Sequence, residues 1–445
     1  MRTGQPAGGT GCTEARGTGM LAGRSRNAHV HSYFASMTEP QPSVVVLFNH
    51  TGEDEYERLE HVDPASLDFE PEYDIRVTTV LDEYKAVARA LRREGYRARL
   101  FNVREDLGRL ERLLRRNPPD VIFNLIEHFH DDAELEPAVA ALFDLHEVAY
   151  TGATPFALSL CHKKGLTKQV LLQNGVPTPR FVTVDEPRLP KRAKLKFPII
   201  VKPAREDASS GVERESVVYD EEQLHVRLQY VYDEYGIPIL VEEFIDGEEL
   251  HVPILGNDPP EVLPPIAWDF TRLPEGYPHI ITFAAKWNPL SEAYHRVHSV
   301  CPPNLPKRIL RKVEKVSLQA YEVTGCRDYA RLDVRIGKDG SAYVLEINPN
   351  PDLTEGVSFM ESAEVADYTF GETLAMIVDM ALERREEGDE VRRLRLERQQ
   401  HKREPVSPEG LRASLKRLDD KAEEKTDTTG DRRKKAKRKT KKSDK

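Results

Sequence analysis

Residues 331–348 bring together side chains that plain surface chemistry does not explain. Arg331, Asp333, Glu346 and Asn348 flank the dipeptide Asp339-Gly340. That dipeptide suits a two-residue hairpin, because a type I′ turn needs positive φ at both positions. Centring a hairpin there sets Asp333 opposite Glu346 and Arg331 opposite Asn348. Side chains alternate faces along a strand, so these four share one face, with Leu332, Val334, Leu345 and Ile347 expected on the other. Two opposed carboxylates repel unless a cation lies between them. Oxygen ligands of this type suit Mg²⁺, which takes a few carboxylates together with substrate phosphates and water. Arg331 beside them can stabilise negative charge on a transferring phosphoryl group. The plainer alternative, a solvated hairpin face with a cross-strand arginine pair, leaves the facing acids unexplained.

Two further segments carry chemistry of the same kind. The apolar run 197–201 ends in Lys202, and a small-residue loop with Ser209, Ser210 and Gly211 follows. A lysine on a rigid strand beside such a loop can grip phosphate oxygens by charge and by backbone N–H groups. The run 239–241 leads into Glu242, Glu243, Phe244, Ile245 and Glu249. Backbone groups near Phe244 and Ile245 could pair with an adenine edge, while a carboxylate accepts ribose hydroxyls. Each segment alone is a weak signal. Their order along the chain is the stronger one.

Periodicity supplies the elements that must position these groups. Strands are expected at 44–48, 97–103, 120–125 and 148–150, with helices at 77–94, 107–116 and 135–145. Alternation of that kind implies a parallel, doubly wound sheet. No G-x-G-x-x-G follows the first strand, so dinucleotide binding there is not supported. A helix is expected at 155–174 and another at 221–235. Strands are expected at 181–184, 198–202, 216–219 and 239–245, before a third block from 248 to 382.

Composition sets the limits. The chain has 445 residues, enough for two or three domains. Its 39% hydrophobic content fits a packed middle diluted by polar ends, and no run is long enough to span a membrane. Net charge is −10, yet residues 432–445 carry ten Lys/Arg against one Asp, so the remainder is strongly acidic. A nucleic-acid partner is therefore expected only through that basic tail, whose plainer reading is a solvated, disordered end. Four separated cysteines without a C-x-x-C pair fit a reducing cytoplasm. Residues 1–42 read as a disordered or misannotated extension, with Met37 as an alternative start.

The ordered triplet of segments resembles the ATP-grasp superfamily, in particular its D-alanine–D-alanine ligase-like branch, over about residues 43–382. The resemblance implies an α/β (α+β) ATP-grasp fold, with an N-terminal doubly wound parallel-sheet domain at 43–155. Two α+β subdomains at 156–247 and 248–385 would sandwich ATP, ahead of a charged, disordered tail at 386–445. It also implies an ADP-forming ligation of a carboxylate to an amine through an acyl-phosphate. ATP and two Mg²⁺ ions follow from it, Mn²⁺ being a substitute, and so does homodimerisation. By the family pattern Lys163 and Lys202 bind ATP phosphates, and Glu242 and Glu249 contact adenine and ribose. Asp333, Glu346 and Asn348 match its magnesium ligands, and Arg331 its transition-state arginine. Lys286 and Trp287 match the lysine and aromatic of a loop over the active site, so 273–289 is expected to act as a lid.

Departures from the pattern concern the substrate half. The glutamate expected after the first strand cannot be placed within residues 48–55. Ala208 stands where a substrate-side serine is expected, and Asp352 and Glu355 replace small, Ser-rich residues. The expectation is thus a carboxylate–amine ligase for small-molecule or peptide substrates other than two D-alanines. A true D-alanine–D-alanine ligase and a non-catalytic nucleotide-binding scaffold are the alternatives. Glu127, His128, His130, Asp131 and Asp132 read as substrate contacts rather than a second metal site. His162, His295 and His298 read as incidental, and Cys161, Cys301 and Cys326 as small buried or half-buried residues.

Overall fold

The computed structural model describes residues 40–51, 62–75, 79–206 and 209–403, with side chains to 394. Four sequence expectations fall outside the described residues: the extension before residue 40, the missing glutamate within 52–55, Ala208, and the basic tail. The chain divides between Arg385 and Glu386 into two units, and the site belongs to the first.

The elements run in the order β1 (Ser43–Phe48), α1 (Val80–Arg93), β2 (Arg97–Asn102), α2 (Leu107–Arg116), β3 (Val121–Asn124), α3 (Glu136–Leu145) and β4 (Ala149–Tyr150). Then come α4 (Pro155–Cys161), α5 (Lys164–Gln173), β5 (Phe181–Val184), β6 (Ile199–Pro203), β7 (Val217–Val218), α6 (Glu221–Tyr235) and β8 (Ile239–Glu243). The third stretch holds β9 (Gly247–Leu255), β10 (Glu261–Val262), β11 (Ile266–Asp269), α7 (Phe283–Trp287), α8 (Glu292–Arg296) and β12 (His298–Val300). It closes with α9 (Lys307–Thr324), β13 (Tyr329–Gly337), β14 (Ala342–Asn348), α10 (Ser358–Val365) and α11 (Phe370–Arg403).

The first four strands form a parallel sheet in the order β2-β1-β3-β4. Its centre reads as a continuous apolar run because both faces are covered. Val44 and Val46 pack with Val87 and Leu91 of α1 and Leu374, Ile377 and Val378 of α11. Val45 and Leu47 pack on the other side with Leu110 of α2 and Phe143 of α3. The sheet is doubly wound, as the alternation of elements implies. Thr79 and Asp106 cap α1 and α2 by accepting from backbone N–H groups three residues on.

Two antiparallel sheets follow, β5-β8-β6-β7 and a six-stranded sheet with the path β12-β11-β9-β13-β14. The helix expected at 155–174 is two helices, broken at His162-Lys163. Lys163 leaves the helical region at ψ 75°, and the Thr167 hydroxyl donates to the Leu160 carbonyl at 2.6 Å, serving a group near the break. Helix α11 runs to Arg403, so residues 386–403 are helical where a disordered tail is expected from composition.

The hairpin turns differently from the two-residue expectation, although the pairing at its open end is the same. Lys338, Asp339 and Gly340 form a three-residue loop, with Gly340 alone left-handed at φ 72° and the Gly337 N–H donating to Ser341 O at 2.9 Å. That loop shifts the register by one, so Val334 opposes Val344. A bulge between Asp333 and Val334 shifts it back, and Asp333 faces Glu346, and Arg331 faces Asn348. In consequence Leu345 does not join the apolar face. Val344 does, packing with Leu332, Val334 and Ile347.

Candidate active site

Two cavities meet at the open end of this hairpin. The first lies between the two antiparallel sheets and is lined by Lys202 and Glu242 from one and Asp333 and Glu346 from the other. The second is bordered by Glu127, His162, Trp287, Asn348 and Asp352. Lys164, Glu206, Lys286, Arg331 and Glu346 line both. A group passing from one chamber to the other would pass these side chains.

Strand pairing explains the arrangement. Across β9, β13 and β14 the residues stand in rows: Pro253, Arg331 and Asn348; His251, Asp333 and Glu346; Glu249, Arg335 and Tyr343. Arg331 holds Asp333 through Nε to Oδ1 at 2.8 Å and Nη2 to Oδ2 at 3.2 Å. Glu346 pairs with Lys164 at 3.1 Å. Burial and the neighbouring Glu346 push Asp333 up to about 6, against the pull of Arg331. Burial acts on Glu346 in the same sense, but Lys164, Lys202 and Arg331 outweigh it and hold that carboxyl well below its usual range. Two acids and an amide, all oxygen donors at the open end of one hairpin, suit a hard divalent cation.

The lysines are organised by Glu242, which is 1% exposed. Its two oxygens take Lys202 at 2.9 Å and Lys168 at 2.8 Å, and Lys168 also donates to the Thr178 hydroxyl at 2.8 Å. Burial opposes ionisation of Glu242, and the two ammonium groups prevail, lowering its pKa. Glu242 therefore anchors lysines, where the resemblance implies contact with adenine. Glu249 is likewise engaged, by Arg335 at 2.6 Å. The Phe244 N–H donates to Pro198 O at 2.9 Å, and Ile245 O accepts from Arg335 at 2.8 Å. Those two backbone groups are thus taken by the protein, and Arg335 stacks over the Phe244 ring at 4.6 Å. Glu243 accepts from the Lys196 N–H at 3.0 Å.

Ser209 and Ser210 line the first cavity. Gly211, at φ 67°, sits so close to the Pro203 ring that a Cβ would meet it at 2.7 Å. The Phe283 N–H donates to Val212 O at 2.9 Å, tying this loop to the segment that carries Lys286 and Trp287. Lys286 lies over the Trp287 ring at 4.9 Å.

Lys163 stands apart from this assembly. Its side chain is exposed and borders a separate hollow with Gly165 and Thr183. Lys164, one residue on, occupies the place expected of it. Sequence reasoning also misses Lys168, Arg335 and His251. The signals were present: Lys168 is one helical turn from Lys164, and Arg335 and His251 fall at the strand period of 2 from Asp333 and Glu249.

Of the acidic and histidine-rich loop, Glu127 borders the second cavity. His128 and Asp131 face Glu105 instead, their ligand atoms within 4.8 Å of one another. His162 pairs with the buried Glu136 at 2.8 Å, and Glu136 also accepts from Asn350 at 2.8 Å. His295 Nε2–H donates to Pro289 O and its Nδ1 accepts from the Tyr73 N–H, while His298 contacts Tyr73 and Arg272. Both belong to the packing of residues 62–75 on this segment.

A family model described as D-ala D-ala ligase C-terminus matches residues 170–379. The chain is 31% identical over 283 residues to an uncharacterized protein, y4sG, of Sinorhizobium fredii, covering 62% of this chain and 81% of that protein. It is 30% identical over 305 residues to a D-alanine–D-alanine ligase of Desulforudis audaxviator, covering 67% of this chain and 92% of the relative. A solved D-alanine–D-alanine ligase from Bacillus anthracis, complexed with ATP, superposes with TM-score 0.59 at 21% identity. That match covers 79% of this chain and 100% of the other, and it is a likeness of fold.

Proposed function

This chain belongs to the D-alanine–D-alanine ligase family of ATP-grasp, ADP-forming carboxylate–amine ligases, and we propose that its two cavities divide that reaction between them. The first would take Mg-ATP and the second the acid and the amine, with residues 43–155, 156–247 and 248–385 as the three domains around them. The observation that supports this reading is the cross-strand row Asp333–Glu346, with Arg331 beside it in the wall common to both cavities.

Lys202 and Lys164 would steady phosphate oxygens as point charges, and Ser209, Ser210 and Gly211 would close the loop over them. Asp333, Glu346 and Asn348 would hold Mg²⁺, one or two ions, or Mn²⁺ in its place. The metal would neutralise charge on the transferring phosphoryl group. A substrate carboxylate oxygen attacks the γ-phosphorus and ADP leaves. The amine then attacks the acyl carbon, phosphate departs, and the amine nitrogen loses a proton as the amide forms. Arg331 faces both steps and can stabilise the equatorial oxygens first and the tetrahedral oxyanion second. Trp287 and residues 273–289 would exclude the water that competes for an acyl-phosphate.

The acid and amine are proposed to be small molecules or peptides other than two D-alanines. Asp352 and Glu127 border the chamber, and a carboxylate placed beside them is repelled unless a cation or a basic side chain intervenes. The named relatives favour the second reading, D-alanine–D-alanine ligation. No described helix is long and apolar enough to cross a membrane, and a cytoplasmic setting suits a consumer of ATP. ADP release by the full chain with Mg-ATP, screened over acid–amine pairs including D-alanine alone, separates these readings. Glu346→Ala is expected to abolish release. Unchanged release would overturn the metal assignment, and brisk turnover of D-alanine alone would favour the second reading.

A further inference from the structure

His251 stands in β9 directly across the ladder from Asp333, which faces Glu346 across the next ladder. His251 is 4% exposed and lines the first cavity. It lies edge to face with Trp268, the ring centroids 5.0 Å apart. Its Nδ1 is buried with no hydrogen-bond partner, and so is the Trp268 Nε1. Its Nε2 points at Asp333 Oδ1 from 3.7 Å, beyond hydrogen-bond distance. A buried nitrogen without a partner is destabilising, and an aliphatic side chain in the same strand position would avoid the penalty. Packing alone therefore does not account for an imidazole here.

The occupancy of Asp333 supplies the reason. Both of its oxygens are engaged by Arg331, and a carboxylate gripped in this bidentate way is poorly placed to bind a cation. Arg331 is also the guanidinium in the wall of the second cavity, where the reaction described above requires it. Both demands are met if Arg331 leaves Asp333. Oδ1 then needs another donor to keep its orientation, and His251 Nε2 is the group already aimed at it.

We propose that His251 is a positioning residue for Asp333. With Arg331 withdrawn, its Nε2–H donates to Oδ1, orients that carboxylate as a metal ligand and lets Arg331 serve the phosphoryl group. The proposal rests on the assignment of this hairpin face to Mg²⁺. Partners that orient a ligating carboxylate typically change metal affinity 10–100-fold when removed.

The test is Mn²⁺ affinity of the full chain in the presence of ADP, followed by electron paramagnetic resonance, for His251→Phe, His251→Gln and Asp333→Asn. His251→Phe is expected to weaken Mn²⁺ binding by about 10–100-fold, and His251→Gln, which keeps a donor, to recover most of that loss. ADP affinity without metal should be unchanged in both. If His251→Phe shows no cooperative unfolding transition, His251→Leu replaces it. Wild-type Mn²⁺ affinity in the Phe variant overturns the proposal, as does equal loss in the Phe and Gln variants accompanied by weaker metal-free ADP binding. Asp333→Asn separates the two levels of the argument. Its failure to lose Mn²⁺ would overturn the hairpin assignment itself, whereas a loss there with none in His251→Phe overturns the positioning role alone.

Discussion

Lys163 and Lys164 are chemically identical neighbours, one in the helix break and the other the first residue of α5, and the break decides which one reaches the cleft. Lys164 pairs with Glu346 in the wall between the cavities, whereas Lys163 points to solvent. Lys164→Ala should lower kcat by about 10²-fold, the usual size of losing one well-placed charge on a reacting phosphate. Lys163→Ala should stay within about twofold. Steady-state ADP release checks both, and a larger effect at Lys163 would contradict the geometry. Glu242 makes a separate prediction about stability. Glu242→Gln strands two buried ammonium groups, Lys168 and Lys202, and should cost about 3–5 kcal/mol. The folded-state pKa of Glu242 lies below its ordinary value. Its contribution is therefore complete above the unfolded pKa of about 4.3 and is lost as pH falls through the lower folded value. Urea titrations should show the gap between wild type and variant narrowing as pH drops below about 4.

At the scale of elements, the hairpin shows why local signals were readable and their combination was not. Asp339-Gly340 marks a turn, and period-2 alternation marks the strands, so the pairing of Asp333 with Glu346 follows from sequence. The three-residue loop and the compensating bulge could not be read, because two opposite one-residue shifts leave the open end unchanged. The cost of that blindness is Leu345, assigned to the apolar face and found in the cleft wall. The break between α4 and α5 was hidden for a related reason. Neither His162 nor Lys163 is a helix breaker by type, and the bonds around the break, Thr167 to Leu160 and His162 to Glu136, are tertiary or nearly so. Gly340 carries the loop conformation at φ 72°, where a Cβ would also meet Ile309 Cδ1 at 2.9 Å. Gly340→Ala should therefore destabilise the chain by about 1–2 kcal/mol. Because the loop lies at the end of the hairpin away from Asp333 and Glu346, the KM for ATP should hold while the Tm falls. A raised KM with an unchanged Tm would mean that the loop reaches the site.

For the whole molecule, the question is where the catalytic unit ends along α11, since this helix crosses from the first unit into the second. Its buried contributions to the first core are Leu374, Ile377, Val378 and Ala381. Just beyond them Arg384 pairs with Asp328 and donates to Tyr150 O at 2.9 Å, and Arg385 contacts Asp120 at 3.6 Å. Those anchors fasten the helix to β4, to the entry of β3 and to the turn before β13, which carries Arg331 and Asp333. A chain ending at Arg385 keeps every one of these contacts. It should unfold within a few degrees of the full chain and retain its turnover of a small substrate. A chain ending at Thr373 loses three large aliphatic side chains from the face of the parallel sheet, each worth about 1.5–3 kcal/mol when fully buried. It also leaves Asp328, itself fully buried, without its guanidinium. The sum rivals the 5–15 kcal/mol that holds an ordinary domain together, so this shorter chain should lack a cooperative thermal transition. The comparison is informative in both directions. Lost turnover in the chain ending at Arg385, with its transition intact, would show that residues 386–445 take part in the reaction.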